Sequence, residues 1–83
     1  MKIIFTESAK KDWQRLDTSV RRQLKTKLAF YRRAEQALRF AEKLRDFDSG
    51  EYRFRVGDRR IIFDVRGDII FILRIGNRKD VYR

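Results

Sequence analysis

From Gly50 onward the chain reads GEYRFRVGDRRIIFDVRGDIIFILRIGNRKDVYR, in which apolar runs with charged residues set between them are divided by Gly57-Asp58 and Gly67-Asp68. A period of two marks strands, and it predicts strands over about 51–56, 59–66 and 69–75. Glycine at the first central position of a two-residue loop suits a type II′ hairpin turn. With Gly57-Asp58 as that loop, Val56 faces Arg59, Arg55 faces Arg60, Phe54 faces Ile61 and Tyr52 faces Phe63. Tyr52, Phe54, Ile61 and Phe63 then share one face, and Arg53, Arg55 and Arg60 share the other. Carried through the second turn without irregularity, the register puts Ile69, Phe71, Leu73 and Ile75 on the arginine side. It puts Arg74 with Ile70 and Ile72 on the opposite, helix-facing side. Arg74 fits there at the sheet margin, paired with a helix carboxylate, or else the second turn is longer than two residues.

Upstream the pattern changes. Lys2–Phe5 is a short apolar strand. Thr6 and Ser8 are candidate helix N-caps, Glu7 suits a first turn, and Ala9, Trp13 and Leu16 follow at helical spacing. Asp17-Thr18-Ser19 ends that helix and caps a second one, in which Val20, Leu24, Leu28, Tyr31 and Leu38 fall on one stripe. Ala37, Ala41 and Leu44 lie off the stripe, so the helix must bend or restart near Ala34–Ala37. Asp48-Ser49-Gly50 is a turn into the sheet. The order β-α-α-β-β-β predicts an α+β fold: a helical hairpin on one face of a small, mainly antiparallel sheet, with the first strand at an edge or beside the last. At 83 residues the chain is expected to be a single domain, 1–83.

Composition narrows the function. Lys and Arg number 22 against 12 acidic residues, a net charge of +10 spread along the whole chain, which favours anionic partners. There is no Cys and no His, which removes thiolate chemistry, the commonest general base and the commonest metal ligand. The carboxylates are scattered beside basic residues, so neither a metal nor a cofactor is expected. No apolar run reaches membrane-spanning length and the four-residue apolar stretch at the N-terminus is too short for a signal peptide, so a cytoplasmic location without a membrane partner is expected.

The phrases YRFRVGDRRIIFDV and FILRIGNRKDVYR, with F-x-x-S-A-K-K-D-W near the N-terminus and Lys43-Leu44 before the sheet, resemble the RelE/ParE toxin superfamily over nearly the whole chain. The combination of Y-R-x-R-V-G-D-x-R-I with R-x-G-x-R-x-x-V-Y is far more specific than either part. The resemblance implies a toxin of a type II toxin–antitoxin pair. In one branch, RelE, such toxins cleave messenger RNA in the ribosomal A site. In the other, ParE, they poison DNA gyrase with a similar scaffold and without the nuclease residues. It matches Arg53 and Arg55 to two basic residues on the second strand of RelE-like nucleases, and Arg60 to the arginine that begins the third. It matches Arg78 to the arginine after the last strand and Tyr82 to the tyrosine near the C-terminus. Many relatives carry His where this chain has Asn77, and some carry a catalytic Glu on the second strand, for which Glu51 is a peripheral substitute. The general base is left open.

On this resemblance Arg55, Arg60, Arg78 and Tyr82 are the expected catalytic residues, with Arg53, Arg59, Asn77 and Lys79 along the RNA. The expected activity is a metal-independent, ribosome-dependent endoribonuclease that arrests translation. Arginine suits the task because its planar fork holds phosphate oxygens and never loses its charge. Two arginines opposite each other repel by roughly 0.2–1 kcal/mol in an ordinary sheet, and a polyanion between them reverses the sign. Other readings of the same residues stand beside this one: Arg53 and Arg55 as the solvated face of an edge strand, Arg78 and Lys79 as a charged tail, Tyr82 as packing. Trp13 reads as core. Phe30, Phe40 and Phe47 belong either to a wrapped core or to an exposed partner site. The expected partners are the ribosome, messenger RNA and an acidic antitoxin that wraps the arginine face or the helical hairpin in a hetero-oligomer. A gyrase-inhibiting toxin and a non-toxic basic RNA-binding module are the alternatives.

Overall fold

A computed structural model describes residues 1–33, 37–44 and 50–77. The elements are β1 (Lys2–Phe5), α1 (Glu7–Gln14), α2 (Thr18–Arg33), a 3-10 turn (Ala37–Phe40), β2 (Glu42–Lys43), β3 (Tyr52–Val56), β4 (Arg59–Arg66) and β5 (Ile69–Asn77). The sheet runs β1-β5-β4-β3-β2, with β1 parallel to β5 and every other pair antiparallel. The fold is α+β, as the patterning predicts, with β1 beside the last strand and at the edge.

Both hairpin turns hold two residues. Gly57 and Gly67 have φ of +59° and +61°, and no other residue type in the described chain has positive φ, which is the type II′ geometry the sequence calls for. The β3–β4 register matches expectation pair for pair, including Arg55 opposite Arg60. Tyr31, Phe54, Phe63 and Tyr52 stack in succession from α2 into the sheet, with ring centroids 3.9, 4.2 and 5.6 Å apart. Leu24, Leu28, Ile61, Ile70, Ile72 and Ile75 complete the core around them. Burial raises the ionisation point of the Tyr31 hydroxyl.

Several expectations need correction. A one-residue register shift falls between Ile62 and Phe63: Phe63 pairs with Ile72 but Ile62 pairs with Arg74, leaving Leu73 as the extra residue of a β-bulge. The bulge reverses the alternation beyond it. Ile75 is therefore in the core, 3 % exposed, and not on the arginine side. The last strand continues to Asn77 rather than stopping near residue 75. The second helix is described to Arg33 and a 3-10 turn over Ala37–Phe40, in keeping with the expected break, whose own residues 34–36 lie outside the described ones. Leu38, in that turn, is 40 % exposed and does not extend the buried stripe. Ala34, most of the Asp48-Ser49-Gly50 turn and Phe47 lie outside the described residues. Phe30 and Phe40 are about half exposed, with rings 5.2 Å apart, so this pair forms a surface patch and is not part of the buried core.

The bulge explains the first helix. Strand β1 pairs with β5 only as far as Ile72, and α1 takes over the unpaired edge from there. Thr6 caps α1 by accepting from the Ala9 N–H (3.2 Å), and its hydroxyl donates to the carbonyls of Ile72 (2.9 Å) and Leu73 (3.2 Å). Asp12, 8 % exposed, accepts from the Ile75 N–H (2.9 Å) and from Arg74 Nε (2.8 Å). The bulge also corrects the side of Arg74: opposite Ile62 it falls, by register, on the arginine side and not with Ile70 and Ile72. From there it pairs with the Asp12 carboxylate, which holds it charged beyond the ordinary arginine range. A buried strand edge left without such partners would carry unsatisfied backbone groups.

Candidate functional site

The face of the sheet away from the helices carries Arg53 and Arg55 on β3 and Arg60 on β4. Strand β2, two residues long and without a pattern of its own, sets Glu42 directly opposite Arg53. The Glu42 carboxylate accepts from Arg53 Nε (2.9 Å) and Nη2 and, with its other oxygen, from Arg55 Nη1 (3.0 Å). Hydrogen bonds from Arg53 first and Arg55 second hold the Glu42 carboxyl below the ordinary carboxylate range. Arg53 and Arg55 are thereby oriented in advance, with the Arg55 side chain 55 % exposed. Strand β3 is not an edge strand, because β2 flanks it.

Arg60 sits differently. It is only 6 % exposed, and Nη1 donates to the carbonyls of Gly57 (2.9 Å) and Arg59 (3.0 Å). Its Nε is buried with no hydrogen-bond partner among the described residues. Arg60 therefore braces the β3–β4 turn from the position opposite Arg55 in the register. Ile62, on the same face, is fully buried. A Cβ built on Gly50 would lie 2.5 Å from Ile62 Cγ2 at a φ of +140°, so the chain entering β3 packs closely over this part of the sheet. Glu51, the peripheral candidate base, donates its backbone N–H to Asp64 (2.8 Å).

Arg53, Arg55 and Arg60 are brought together as the sequence predicts. Arg59 and Asn77 face each other across β4 and β5, on the other side of the sheet from Arg60. Arg78, Lys79 and Tyr82 lie outside the described residues. The sequence reading missed Glu42, since no periodicity marks a two-residue strand. It also missed Asp12 as the partner of Arg74, although it anticipated a helix carboxylate there. Among the described residues no group of three or more His, Cys, Asp or Glu side chains is placed to hold a metal ion, and no helix is long and apolar enough to cross a membrane.

Comparison with known proteins agrees with this geometry. The fold is similar to RelE in the RelB–RelE antitoxin–toxin complex of Methanococcus jannaschii, with a TM-score of 0.74 at 25 % identity over 95 % of this chain and 94 % of that one. It is similar to the isolated RelE toxin of E. coli, with a TM-score of 0.72 at 28 % identity over 98 % and 89 % of the two chains. The intact E. coli RelBE toxin–antitoxin complex gives 0.73 at 26 % identity over 92 % and 94 %. No curated protein matches the sequence. A family model described as the ParE toxin of the type II toxin–antitoxin system parDE matches residues 3–82, nearly the whole chain. With the fold and the sequence pattern in agreement, the chain belongs to the RelE/ParE superfamily and is a toxin of a type II toxin–antitoxin system.

Proposed function

We propose that this toxin is a RelE-like, ribosome-dependent endoribonuclease that cleaves messenger RNA in the cytoplasm and so arrests translation. The observation that carries the reading is the Arg55–Arg60 pair, face to face across β3 and β4 with Arg53 alongside. Cleavage by the 2′-OH builds negative charge on a pentacoordinate phosphorus, and fixed guanidinium donors favour that charge over the ground state. The Glu42–arginine contacts supply the fixing. Glu42 is itself a poor base, because the same arginines hold its carboxyl ionised. Proton transfer then falls to Tyr82, with Arg78 completing the phosphate cradle, as the family resemblance implies. The charge of +10 suits both the RNA and an acidic antitoxin that sequesters the toxin in a hetero-oligomer. RelE is found with its RelB antitoxin in the M. jannaschii and E. coli complexes, and the same arrangement is proposed for this chain.

A second reading, a gyrase-inhibiting toxin, is favoured by the ParE name of the matching family model. A gyrase poison has no use for Arg55, Arg60, Arg78 and Tyr82. Induction of the chain alone, with labelled amino acid and labelled thymidine supplied in parallel, separates the two. Amino-acid incorporation should fall first. If DNA synthesis stops while translation persists, the nuclease reading is wrong. Growth unaffected by induction would leave only a non-toxic RNA-binding module.

A further inference from the structure

Behind the arginine face, between the end of α1 and the ends of β4 and β5, lies a cleft lined by Asp12, Arg15, Leu16, Arg59, Arg74 and Asn77. Three of these side chains are guanidiniums and one is a carboxylate. That carboxylate is already engaged by Arg74 and by the Ile75 N–H. Among the described residues Arg15 and Arg59 have no carboxylate partner, and the Nε of Arg59 is buried with no hydrogen-bond partner at all. A desolvated guanidinium nitrogen without an acceptor favours an anion that brings one. Gly76 also lines the cleft and has no side chain to keep a ligand from the backbone, while the exposed Asn77 amide offers both a donor and an acceptor.

Arg59 and Arg60 are consecutive strand residues, so they reach opposite sides of the same strand end. We propose that the cleft is a second phosphate site, in which Arg15 and Arg59 take an RNA backbone phosphate next along the strand from the one held on the Arg55–Arg60 side. The RNA would pass round the end of the sheet by Gly76 and Asn77. This rests on the nuclease reading and adds a binding site to it. A backbone phosphate fits the cleft better than an acidic peptide does. A peptide draws much of its affinity from apolar contacts, and here Ile75 is buried, leaving Leu16 as the apolar wall.

The test is binding, kept apart from cleavage. The probe is a short single-stranded RNA carrying 2′-O-methyl groups throughout, so that it cannot be cut, titrated by fluorescence anisotropy over a range of salt. Each phosphate contact to a single strand contributes about 0.7 to the slope of log K against log salt. Arg59→Gln and Arg15→Gln should each weaken binding about tenfold at low salt, the effect of one charge-assisted contact, and the double variant, which gives up the shared phosphate, should lower the slope by about 0.7. Arg39→Gln, which removes the same charge from the 3-10 turn outside the cleft, should change little. Arg55→Gln reports the other face separately. Folded Arg59→Gln and Arg15→Gln proteins that bind like wild type, while Arg55→Gln does not, would overturn the second site and leave the nuclease reading standing. Cleft variants that bind RNA normally but lose affinity for an acidic antitoxin would overturn it in favour of a protein partner. A wild-type protein that does not bind the probe would overturn it as well, whereas the nuclease reading is decided by cleavage on ribosomes.

Discussion

Removing the Asp12 carboxylate should cost more stability than an ion pair at that exposure would suggest. Asp12 accepts from Arg74 Nε at 2.8 Å and from the Ile75 N–H at 2.9 Å, and is 8 % exposed. The two partners differ in kind. The Arg74 side chain is 40 % exposed and can turn to water, so its share is small, at most about 1 kcal/mol. The Ile75 N–H is buried beyond the end of β1, and orphaning it costs about 1–3 kcal/mol. Asp12→Ala should therefore destabilise by about 2–3 kcal/mol, which in a domain of this size lowers the melting temperature by roughly 10–20 °C. Asp12→Asn keeps an oxygen for the Ile75 N–H and loses only the charge, so it should fall by no more than about 8 °C. Thermal melting by circular dichroism, with urea titration for the free energy, gives both numbers. If the Ala and Asn variants melt together, the bulge N–H is not what Asp12 protects. If Asp12→Ala melts with wild type, the account of α1 as the cap on the β5 edge is wrong.

Glu42→Gln should raise affinity for uncleavable RNA at neutral pH, because the carboxylate competes with phosphate for Arg53 and Arg55. The Glu42 pKa is lowered in the folded state, so its ion pairs are present above the ordinary carboxylate pKa and fade as pH falls through the depressed value. Acid should therefore erase the difference between wild type and Glu42→Gln, and equal affinity at neutral pH would contradict the competition. Gly50→Ala forces a Cβ to 2.5 Å from Ile62 Cγ2 at positive φ and should destabilise by about 1–3 kcal/mol, read from the urea midpoint; an unchanged midpoint would show that the chain above Ile62 can yield.

Much of the sheet could be read from the sequence because two signals agree there: alternation with period two, and glycine where φ must be positive. The parts that could not be read have physical causes. Residues Ile69 to Ile75 are apolar at nearly every position, so the alternation is equally satisfied on either side of a bulge, and nothing local marks Leu73 as the extra residue. Strand β2 exists because Glu42 and Lys43 find β3, not because of any preference of their own. The arginine cluster was legible through register alone. The burial of Arg60 was not, since it depends on the carbonyls of Gly57 and Arg59 turning toward its side chain. Asp12 stood in a recognisable motif, but its partners are more than sixty residues away in the chain.

Primer extension on messenger RNA bound to ribosomes with an occupied P site tests the central claim most directly. Purified wild-type toxin should produce discrete cuts at A-site codons, with chelator present as without it, and none on the same RNA free in solution. Arg55→Ala, at an exposed position outside the core, should cut roughly 10²-fold more slowly or worse, as expected for loss of one preorganised donor. No cuts by a folded wild-type protein, or full cutting by Arg55→Ala, would contradict the account.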